Sequence, residues 1–538
     1  MSIPWPVRSS TKVGPPPPLA QQPLSTLSFP SLFALPDTKP LPWLSHDTTY
    51  DANADLREVE RVLYDPQWLE ERLEHFDGEL PYVRTRSMFA THVFQQLTWG
   101  KICETQSARA VLPFFTRLKS NGINTRPLYD ASPLNKILGR PHSPKLPSPA
   151  FIIDYAMQFS MAASFDLAGW YSQIPIGPAL SNCLGIEVNG TTYQYTTLPQ
   201  GFSEACWIAE TIATRLCSGI EDSVAGIVYD NFLLAAKNDA HLRNLVASFD
   251  SNLSSCGVVK NEDKTSLGTS VEYCGLLLDL EHKSFTVTDE WAQKAAAALT
   301  QALHLKTWSF KSAFAIFGLC AWYLRVTRIP FCTTRPILSA QRLVGRRVHR
   351  GASWSSDFHP APTLIAIITS VRDTLSKNQH IHWHDPPTLS LDTVIFSDAS
   401  DWGWGIVLVQ NGAVTDVRSG KWSEDEATLD IHIRETIAYR ISRTTFPPAS
   451  LYLVDNTVAV NAICKGHSPR PTLDRHLRSP EVLSTKAMIA WVPTALNIAD
   501  FPSRNEPLPL SATKPNLLDI TKDLRIRPVD WTYAQERA

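Results

Sequence analysis

Three short blocks in the first half of the chain carry residue types suited to metal-dependent phosphoryl transfer. The first block, Ser164–Pro175, has Asp166 at the end of an apolar run. The second is Leu198-Pro199-Gln200-Gly201-Phe202, and the third, Ile227–Leu233, contains Asp230. Two divalent metals about 4 Å apart stabilise the attacking and leaving oxygens of an in-line displacement, and carboxylates from different strands must converge on them. Asp166 and Asp230 are therefore candidate metal ligands.

Both acids stand where predicted strands end. Asp166 closes the run Ala163–Leu167, and Asp230 lies between the apolar stretches Ala225–Tyr229 and Phe232–Ala236. The second pattern predicts a β-hairpin with Asp230 and its following Asn at the tip. Taken singly, either Asp would be interpreted as a turn residue, because Asp and Asn dominate turns. Their position among the three blocks favours the metal site, since Mg²⁺ prefers oxygen ligands and usually takes one or two protein carboxylates.

A second set of acids begins near residue 391. Asp398 and Asp455 each follow a strand-like run, Glu435 lies in a helical stretch, and Asp500 precedes Phe501-Pro502-Ser503-Arg504. Taken singly, each would be interpreted as an ordinary surface acid. Clustered carboxylates are unfavourable without a cation, so their joint placement at the ends of elements indicates a metal site.

In this order and spacing, the three blocks of the first half resemble the catalytic core of reverse transcriptases. The resemblance implies an α+β right-hand polymerase with fingers, palm and thumb, and Val271–Leu276 resembles its primer-grip hairpin. The family pattern Tyr-x-Asp-Asp reads Val228-Tyr229-Asp230-Asn231 here, so the second Asp is replaced. Asn231 can still offer a neutral oxygen to a metal, but it removes one negative charge. Trp170 also departs from the family, where a small residue is usual.

The same resemblance implies five substrate-binding residues. Tyr171 matches the aromatic residue under the sugar that rejects a 2′-hydroxyl, and Gln200 matches the residue that contacts the incoming nucleotide. Arg126 and Lys119 match the residues that hold the triphosphate, consistent with the affinity of Arg and Lys for phosphate oxygens. In isolation, these two would be interpreted as solvated surface charges. Lys264 resembles a lysine assigned to protonation of the pyrophosphate.

The second set of acids resembles ribonuclease H. Asp398, Glu435, Asp455 and Asp500 on strand, helix, strand and helix follow the order of that family, and the Ala-Asp-x-x-Ser-Arg ending resembles its retrotransposon forms. The resemblance implies an α/β ribonuclease H-like domain whose four acids hold two metals that activate water against the RNA strand. Mg²⁺ is the expected ion at both sites, with Mn²⁺ as the alternative. No histidine between Asp455 and Asp500 clearly matches the one that some members carry.

Length and composition set further bounds. A chain of 538 residues should form several domains, and its net charge of −2 gives no support to nucleic-acid binding by itself. The densest basic stretch, Arg342–Arg350, is either a solvated helix face or a backbone contact. Nine scattered cysteines without metal spacing fit an intracellular protein, cytoplasmic or nuclear. No signal peptide is recognisable and no apolar run approaches the ~18 residues of a membrane span, so no membrane partner is expected.

The predicted organisation has five segments. Pro, Ser and Thr dominate the start, which should be an extended, disordered leader. Helices are predicted at Glu290–Leu305 and Ser309–Arg325. The predicted segments are a leader at 1–48, fingers and palm at 49–289, thumb and connection at 290–385, the ribonuclease H-like domain at 386–510, and a tail at 511–538.

The resemblance implies an RNA-directed DNA polymerase with ribonuclease H activity. Its partners would be an RNA template, a DNA primer, the RNA–DNA hybrid and deoxynucleoside triphosphates, together with other element-encoded proteins. The short spacer and the form Asp398-Ala399-Ser400-Asp401-x-Gly403-Trp404-Gly405 resemble the DIRS-like retrotransposons, and the Tyr-Asp-Asn variant resembles their VIPER-like subgroup. One alternative is a decayed polymerase that binds nucleic acid without extending it. Another is a chain in which only the nuclease is active.

Overall fold

The computed structural model describes residues 27–44, 51–74, 76–83, 96–97, 99–118, 125–327, 331–383, 389–446, 448–466, 468, 470–477 and 486–530. Two compact units divide between Thr288 and Asp289, one residue from the boundary predicted after the palm. The first unit is α+β and the second contains an α/β domain, which confirms the predicted fold class.

The elements of the first unit alternate between helices and short strands. Its helices are α1 (Phe29–Ala34), α2 (Ala52–Tyr64), α3 (Pro66–Leu73), α4 (Ser132–Leu138), α5 (Pro149–Ala156), α6 (Pro178–Asn182), α7 (Ala205–Leu216) and α8 (Asp239–Ser255). Its strands are β1 (Ile102–Glu104), β2 (Phe114–Leu118), β3 (Thr125–Tyr129), β4 (Met161–Asp166), β5 (Gly185–Val188), β6 (Thr191–Tyr195), β7 (Val224–Val228), β8 (Asn231–Ala236), β9 (Ser266–Gly268), β10 (Ser270–Tyr273), β11 (Leu276–Asp279) and β12 (Ser284–Val287).

An antiparallel sheet in the order β7-β8-β4-β9 positions the first set of acids. Four consecutive residues of β4 and five of β8 are buried, as expected for strands covered on both faces. The apolar face of α8 covers the sheet, where Phe249 packs against Phe165 and Phe232 with ring centroids 5.3 and 4.9 Å apart. This rigid packing fixes the strand ends that carry Asp166 and the β7–β8 turn.

The remaining strands of the first unit form smaller antiparallel groups. Strands β1, β6 and β5 make one sheet, β2 and β3 make a hairpin, and β10, β11 and β12 pair consecutively. The β10–β11 connection has positive φ angles of 49° at Cys274 and 82° at Gly275, which accommodate its two-residue turn. The predicted Val271–Leu276 hairpin is therefore present.

Residues 27–44 correct the prediction of a disordered leader. Helix α1 buries Phe29 and Leu32, and its Pro in the first turn, directly after the first helical residue, suits a helix start. The fully buried guanidinium of Arg215 donates to the carbonyl oxygens of Leu32, Leu35 and Pro36. Hydrogen bonds from a buried arginine on α7 thus order a segment whose composition is typical of disorder. Residues 1–26 and 45–48 of the predicted leader lie outside the described part of the chain.

The second unit begins with four helices. It contains the helices α9 (Asp289–Leu303), α10 (Phe310–Val326), α11 (Phe331–His349), α12 (Pro362–Lys377), α13 (Glu424–Ala427), α14 (Ile431–Thr445), α15 (Thr457–Lys465), α16 (Pro471–Leu477), α17 (Asp500–Ser503) and α18 (Leu517–Thr521). The first two confirm the helices predicted after the palm. Across the described residues, every helix is too short or too polar to cross a lipid bilayer.

A six-stranded mixed sheet dominates the later part of the second unit. The strands of this unit are β13 (Trp308–Ser309), β14 (Asp357–Phe358), β15 (Ile381–His382), β16 (Thr393–Ala399), β17 (Gly403–Gln410), β18 (Ala413–Lys421), β19 (Leu451–Val454), β20 (Lys486–Trp491) and β21 (Arg527–Asp530). The sheet order is β18-β17-β16-β19-β20-β21, antiparallel through β16 and parallel from β16 to β20. This arrangement brings the carboxyl ends of β16 and β19 side by side.

The predicted tail also needs correction. Strand β21 pairs antiparallel with β20, and Val529 is fully buried in the core beside it. Helix α18 buries Leu517 against the opposite face of the sheet. Residues 511–530 therefore belong to the domain that was predicted to end at 510, whereas residues 531–538 lie outside the described part.

Replacing Arg215 with Met should destabilise the first unit by about 3 kcal/mol, because three buried carbonyl groups would lose their donor. Thermal unfolding of the full chain would measure the change. Arg243 is the matched control, since it is exposed and pairs only with Asp239 on its own helix. Arg243→Met should change stability by less than about 1 kcal/mol. Equal unfolding midpoints for the two variants would contradict the role assigned to Arg215.

Candidate active sites for phosphoryl transfer

The β4–β8 pairing brings the two acids of the first unit together. Asp166, the last residue of β4, lies opposite Asn231, the first residue of β8. The backbone N–H of Leu167 donates to the Asp230 carbonyl oxygen at 2.9 Å. Asp166 and Asp230 therefore occupy adjacent strand ends, as the sequence predicts.

The tip of the β7–β8 hairpin differs by one residue from the prediction. Val228 pairs with Asn231, so the two-residue turn consists of Tyr229 and Asp230. Tyr229 adopts a φ of 58°, which a tight hairpin turn requires and which a tyrosine rarely takes. The amide of Asn231 donates to Asp230 Oδ1 at 2.9 Å. Asn231 thus contacts the carboxylate beside it where the family pattern has a second acid.

A cation and an amide from one loop contact Asp166. Lys264 Nζ lies 3.1 Å from Asp166 Oδ2, and Asn261 Nδ2 lies 3.4 Å from Oδ1. The side chain of Asp166 is only 14% exposed, so these contacts partly neutralise a half-buried charge. Lys264 therefore lies at the site, although its contact here is with a carboxylate.

Tyr171 and Trp170 follow Asp166 in a 3-10 helix, Trp170–Gln173. The Tyr171 hydroxyl lies 3.7 Å from Cys206 Sγ on α7, and burial raises the pKa of the Tyr171 phenol. Trp170 is 1% exposed and its indole N–H donates to the Ala209 carbonyl oxygen at 3.3 Å. The buried indole is therefore held against α7 by a hydrogen bond to the helix backbone.

Gln200 is exposed at the start of a loop that Asn135 holds in place. Asn135 Nδ2 donates to the Gly201 carbonyl oxygen at 2.8 Å, and its Oδ1 accepts from the Ser203 N–H at 3.0 Å. A Cβ at Gly201 would lie 2.3 Å from the Tyr129 carbonyl oxygen, so only glycine fits. The sequence analysis missed Asn135, whose only signal is its place nine residues after Arg126.

The side chains of the two predicted phosphate-binding cations lie outside what the structure describes. Lys119 lies outside the described residues. For Arg126 the structure describes the backbone, which pairs with Arg117 in the β2–β3 hairpin. Their roles remain predictions.

Three of the four acids in the second unit converge. Ser397 pairs with Val454 in the parallel β16–β19 ladder, so Asp398 and Asp455 follow at the same edge of the sheet. Glu435 reaches them from α14. One carboxylate oxygen from each of Asp398, Glu435 and Asp455 lies within 4.8 Å of the others.

This cluster has the electrostatics of a cation site. Burial, with the charges of Asp455 and Asp500, raises the pKa of Asp398 to about 7. Burial, with the charges of Asp398 and Asp455, raises the pKa of Glu435 well above its usual range. Glu435 is 1% exposed, and its Oε2 has no hydrogen-bond partner among the residues that the structure describes. A buried oxygen without a donor, beside two further carboxylates, fits a hard divalent cation.

Asp500 lies beside this cluster and is not one of its three converging members. Arg504 donates to Asp500 Oδ1 from Nε at 3.0 Å and from a terminal nitrogen at 2.9 Å. The charge of Asp500 nonetheless contributes to the raised pKa of Asp398, which indicates proximity. Of the four predicted acids, the structure therefore brings three together and leaves the fourth in an ion pair next to them.

Asn497 is a further residue of this site that the sequence analysis did not single out. Its amide donates to Asp398 Oδ1 at 3.2 Å and to the Ser397 carbonyl oxygen at 3.1 Å. These bonds fix the orientation of one carboxylate. In the sequence, the only indication of a role for Asn497 is its position three residues before Asp500.

Comparison with known proteins gives distant similarities. No family model matches the sequence, and no curated protein matches it. A foamy viral protease-reverse transcriptase in complex with an RNA/DNA hybrid is 15% identical with a TM-score of 0.47, over 81% of this chain and 58% of that chain. A dRH form in complex with double-stranded DNA is 13% identical with a TM-score of 0.48, over 87% and 83%. The chain thus spans 58% of the length of the first structure. Its function is inferred from the carboxylate centres of the two units.

The stability of the metal-free second unit should fall as pH rises from about 4 to about 7. In that range native Asp398 keeps a proton that the unfolded chain has released, and each pKa unit of difference corresponds to about 1.4 kcal/mol. Thermal unfolding in EDTA at several pH values would show a shallower dependence for Asp398→Asn than for wild type.

Asp416→Asn is the control for this titration, because Asp416 lies on β18 in an ion pair with Arg418. It should keep the wild-type pH dependence. Identical profiles for wild type and Asp398→Asn would contradict the assigned pKa shift.

Proposed function

We propose that the chain is an RNA-directed DNA polymerase whose second unit cleaves the RNA strand of the RNA–DNA hybrid. The observation that carries the proposal is the presence of two carboxylate centres, one in each unit, each formed where the ends of paired strands meet. The motif order around both centres supports polymerase chemistry for the first and nuclease chemistry for the second.

In the first unit, Asp166 and Asp230 would hold Mg²⁺, or Mn²⁺ as the alternative ion. The metal would supply electrostatic stabilisation of the attacking and leaving oxygens. Lys264 is within reach of Asp166 and would exchange this contact for the negative charge of the triphosphate. Arg126 and Lys119 would bind the same phosphates.

Tyr171, whose ring packs against the core beside Asp166, would exclude ribonucleotides by steric clash, and Gln200 would contact the incoming deoxynucleotide.

In the second unit, Asp398, Glu435 and Asp455 would hold the metal. Asp500 would join them once the RNA backbone or a cation draws Arg504 away from its carboxylate. Asn497 keeps Asp398 oriented throughout, because its other hydrogen bond is to the strand itself. RNA template, DNA primer, hybrid and deoxynucleoside triphosphates are the proposed partners.

The proposed origin of the chain is a retroelement of the DIRS-like group, with the VIPER-like subgroup as the narrower assignment. The Asp-Ala-Ser-Asp-x-Gly-Trp-Gly form of β16 and β17 supports it. A Cβ at Gly405 in this form would lie 2.3 Å from the Ser503 backbone nitrogen, which gives this glycine a packing role beside α17. Further proteins of the element would supply other activities.

A second candidate function is nucleic-acid binding without extension, with or without an active nuclease. The Asn231 amide favours it, because this donor occupies the Asp230 oxygen that a metal would need. In the polymerase proposal the Asn231 side chain would help to hold the metal through its own amide oxygen instead. The two candidates differ in whether Asn231 is tolerated.

Primer extension on an RNA template with Mg²⁺ separates them. Wild type should extend a labelled DNA primer, and Asp166→Asn should reduce the rate by at least about 10³-fold, because one of two metal ligands is lost. Asn231→Asp should retain extension or increase it, since it restores a carboxylate. Extension that survived Asp166→Asn would contradict the polymerase proposal.

If wild type does not extend the primer and Asn231→Asp does, the result would instead support the binding candidate. Asn189→Asp is a suitable control for the substitution type, because Asn189 lies in the β5–β6 turn with a positive φ that Asp also tolerates. It should leave the extension rate unchanged.

A further inference from the structure

A long segment of the second unit carries basic side chains and no acidic ones. Residues 291–356 contain three lysines and seven arginines and no Asp or Glu, whereas the whole chain has a net charge of −2. The segment covers most of α9, all of α10 and α11, and the loop that follows. Such an imbalance within a near-neutral chain provides an electrostatic footprint for a polyanion.

Three of these arginines form a row on one helix. Arg342, Arg346 and Arg350 are spaced four residues apart, and an N–H···O bond from Arg350 to Arg346 at 3.1 Å extends the helical turn beyond His349. All three side chains are exposed. Within the described part of the chain, none of the three takes part in an ion pair. An unpaired row of like charges is unfavourable unless a ligand neutralises it.

Two exposed aromatic rings lie next to the arginine row. Phe314 on α10 is 38% exposed and Trp354 in the following loop is 44% exposed. Their ring centroids are 5.7 Å apart in an edge-to-face arrangement. A Cβ on Gly345, between Arg342 and Arg346, would lie 3.7 Å from the Phe314 ring, so the aromatic pair packs against the helix that carries the row.

Backbone hydrogen bonds hold this face in shape. The N–H of Lys311 donates to the Trp354 carbonyl oxygen at 3.0 Å, and that of Phe310 donates to Ser356 at 2.8 Å. Gly351, with a φ of 97°, reverses the chain directly after the helix. Trp354 is therefore fixed beside Phe314 before any ligand binds.

We propose that this basic aromatic surface, formed by Arg342, Arg346, Arg350, Phe314 and Trp354, binds single-stranded nucleic acid. Arginines spaced along one helix would contact successive phosphates, and exposed ring faces stack on unpaired bases. A duplex keeps its bases stacked internally and would leave both rings without a ligand. The inference rests on the proposed function, for which the surface would hold template or displaced strand.

Fluorescence anisotropy with the full chain in EDTA tests the surface apart from catalysis. The probes are a labelled 20-nucleotide single-stranded RNA and a blunt 20-base-pair RNA–DNA hybrid. Trp354→Ala should weaken single-strand binding about tenfold through the loss of one stacked base, and leave hybrid binding unchanged. Trp354→Phe should restore most of the affinity.

The arginine row is tested by salt dependence. The triple variant Arg342→Gln/Arg346→Gln/Arg350→Gln should reduce the slope of log K against log salt for single strands by about 2, at about 0.7 per phosphate contact. A matched triple variant of ion-paired cations, Lys294→Gln/Arg372→Gln/Arg418→Gln, should keep the slope.

Two results would overturn the proposal. One is unchanged single-strand affinity in Trp354→Ala, and the other is equal weakening of single-strand and hybrid binding. Failure of primer extension in wild type would contradict the proposed function alone, because binding in EDTA does not depend on catalysis.

Discussion

Carboxylates that share a buried site repel one another, and the backbone of this chain has to hold them together against that repulsion. In the second unit, hydrogen-bonded strands supply the restraint, because the register that pairs Ser397 with Val454 leaves Asp398 and Asp455 no freedom to separate. Glu435 lies on helix α14, whose buried face packs on the same sheet, and its carboxylate joins the other two. The raised pKa values of Asp398 and Glu435 measure how unfavourable the arrangement is without a cation.

The first unit also holds two carboxylates close together, but there polar and charged side chains of the protein contact them. Asp166 forms an ion pair with Lys264, and Asp230 receives a hydrogen bond from Asn231, so its two acids have protein partners. Asp398 and Glu435 of the second unit are more deeply buried, and one oxygen of Glu435 has no donor among the described residues. These differences predict that the carboxylate centre of the second unit depends more strongly on metal for its stability, whereas that of the first unit is stable before metal binds.

Much of this arrangement could be predicted from the sequence, since apolar runs that end in Asp report buried strands and their edges. Asp166, Asp230, Asp398 and Asp455 were found in this way. The hairpin tip was misplaced by one residue because the positive φ of Tyr229 depends on strand pairing and not on its residue type. Asn135 and Asn497 act through partners distant in sequence, so no local pattern reveals them.

Composition gave a wrong answer at both ends of the chain for a similar reason. Residues 27–44 read as disordered because Pro and Ser are frequent there, yet their apolar side chains join the core and Arg215, about 180 residues away, donates to their carbonyl oxygens. Strand β21 was read as a tail because four residues carry no periodic signal, and its place is set by pairing with β20. The substrate roles of Lys119 and Arg126 remain predictions from motif resemblance.

The most direct test of the account uses one substrate with two labels, a DNA primer annealed to an RNA template, each carrying its own fluorophore. Wild type with Mg²⁺ should both extend the primer and shorten the RNA, whereas Asp398→Asn should extend the primer at the wild-type rate and leave the RNA intact. This separation is expected because the two centres lie in different units. Loss of both activities in Asp398→Asn with an unchanged unfolding temperature, or RNA cleavage that persists in it, would contradict the account.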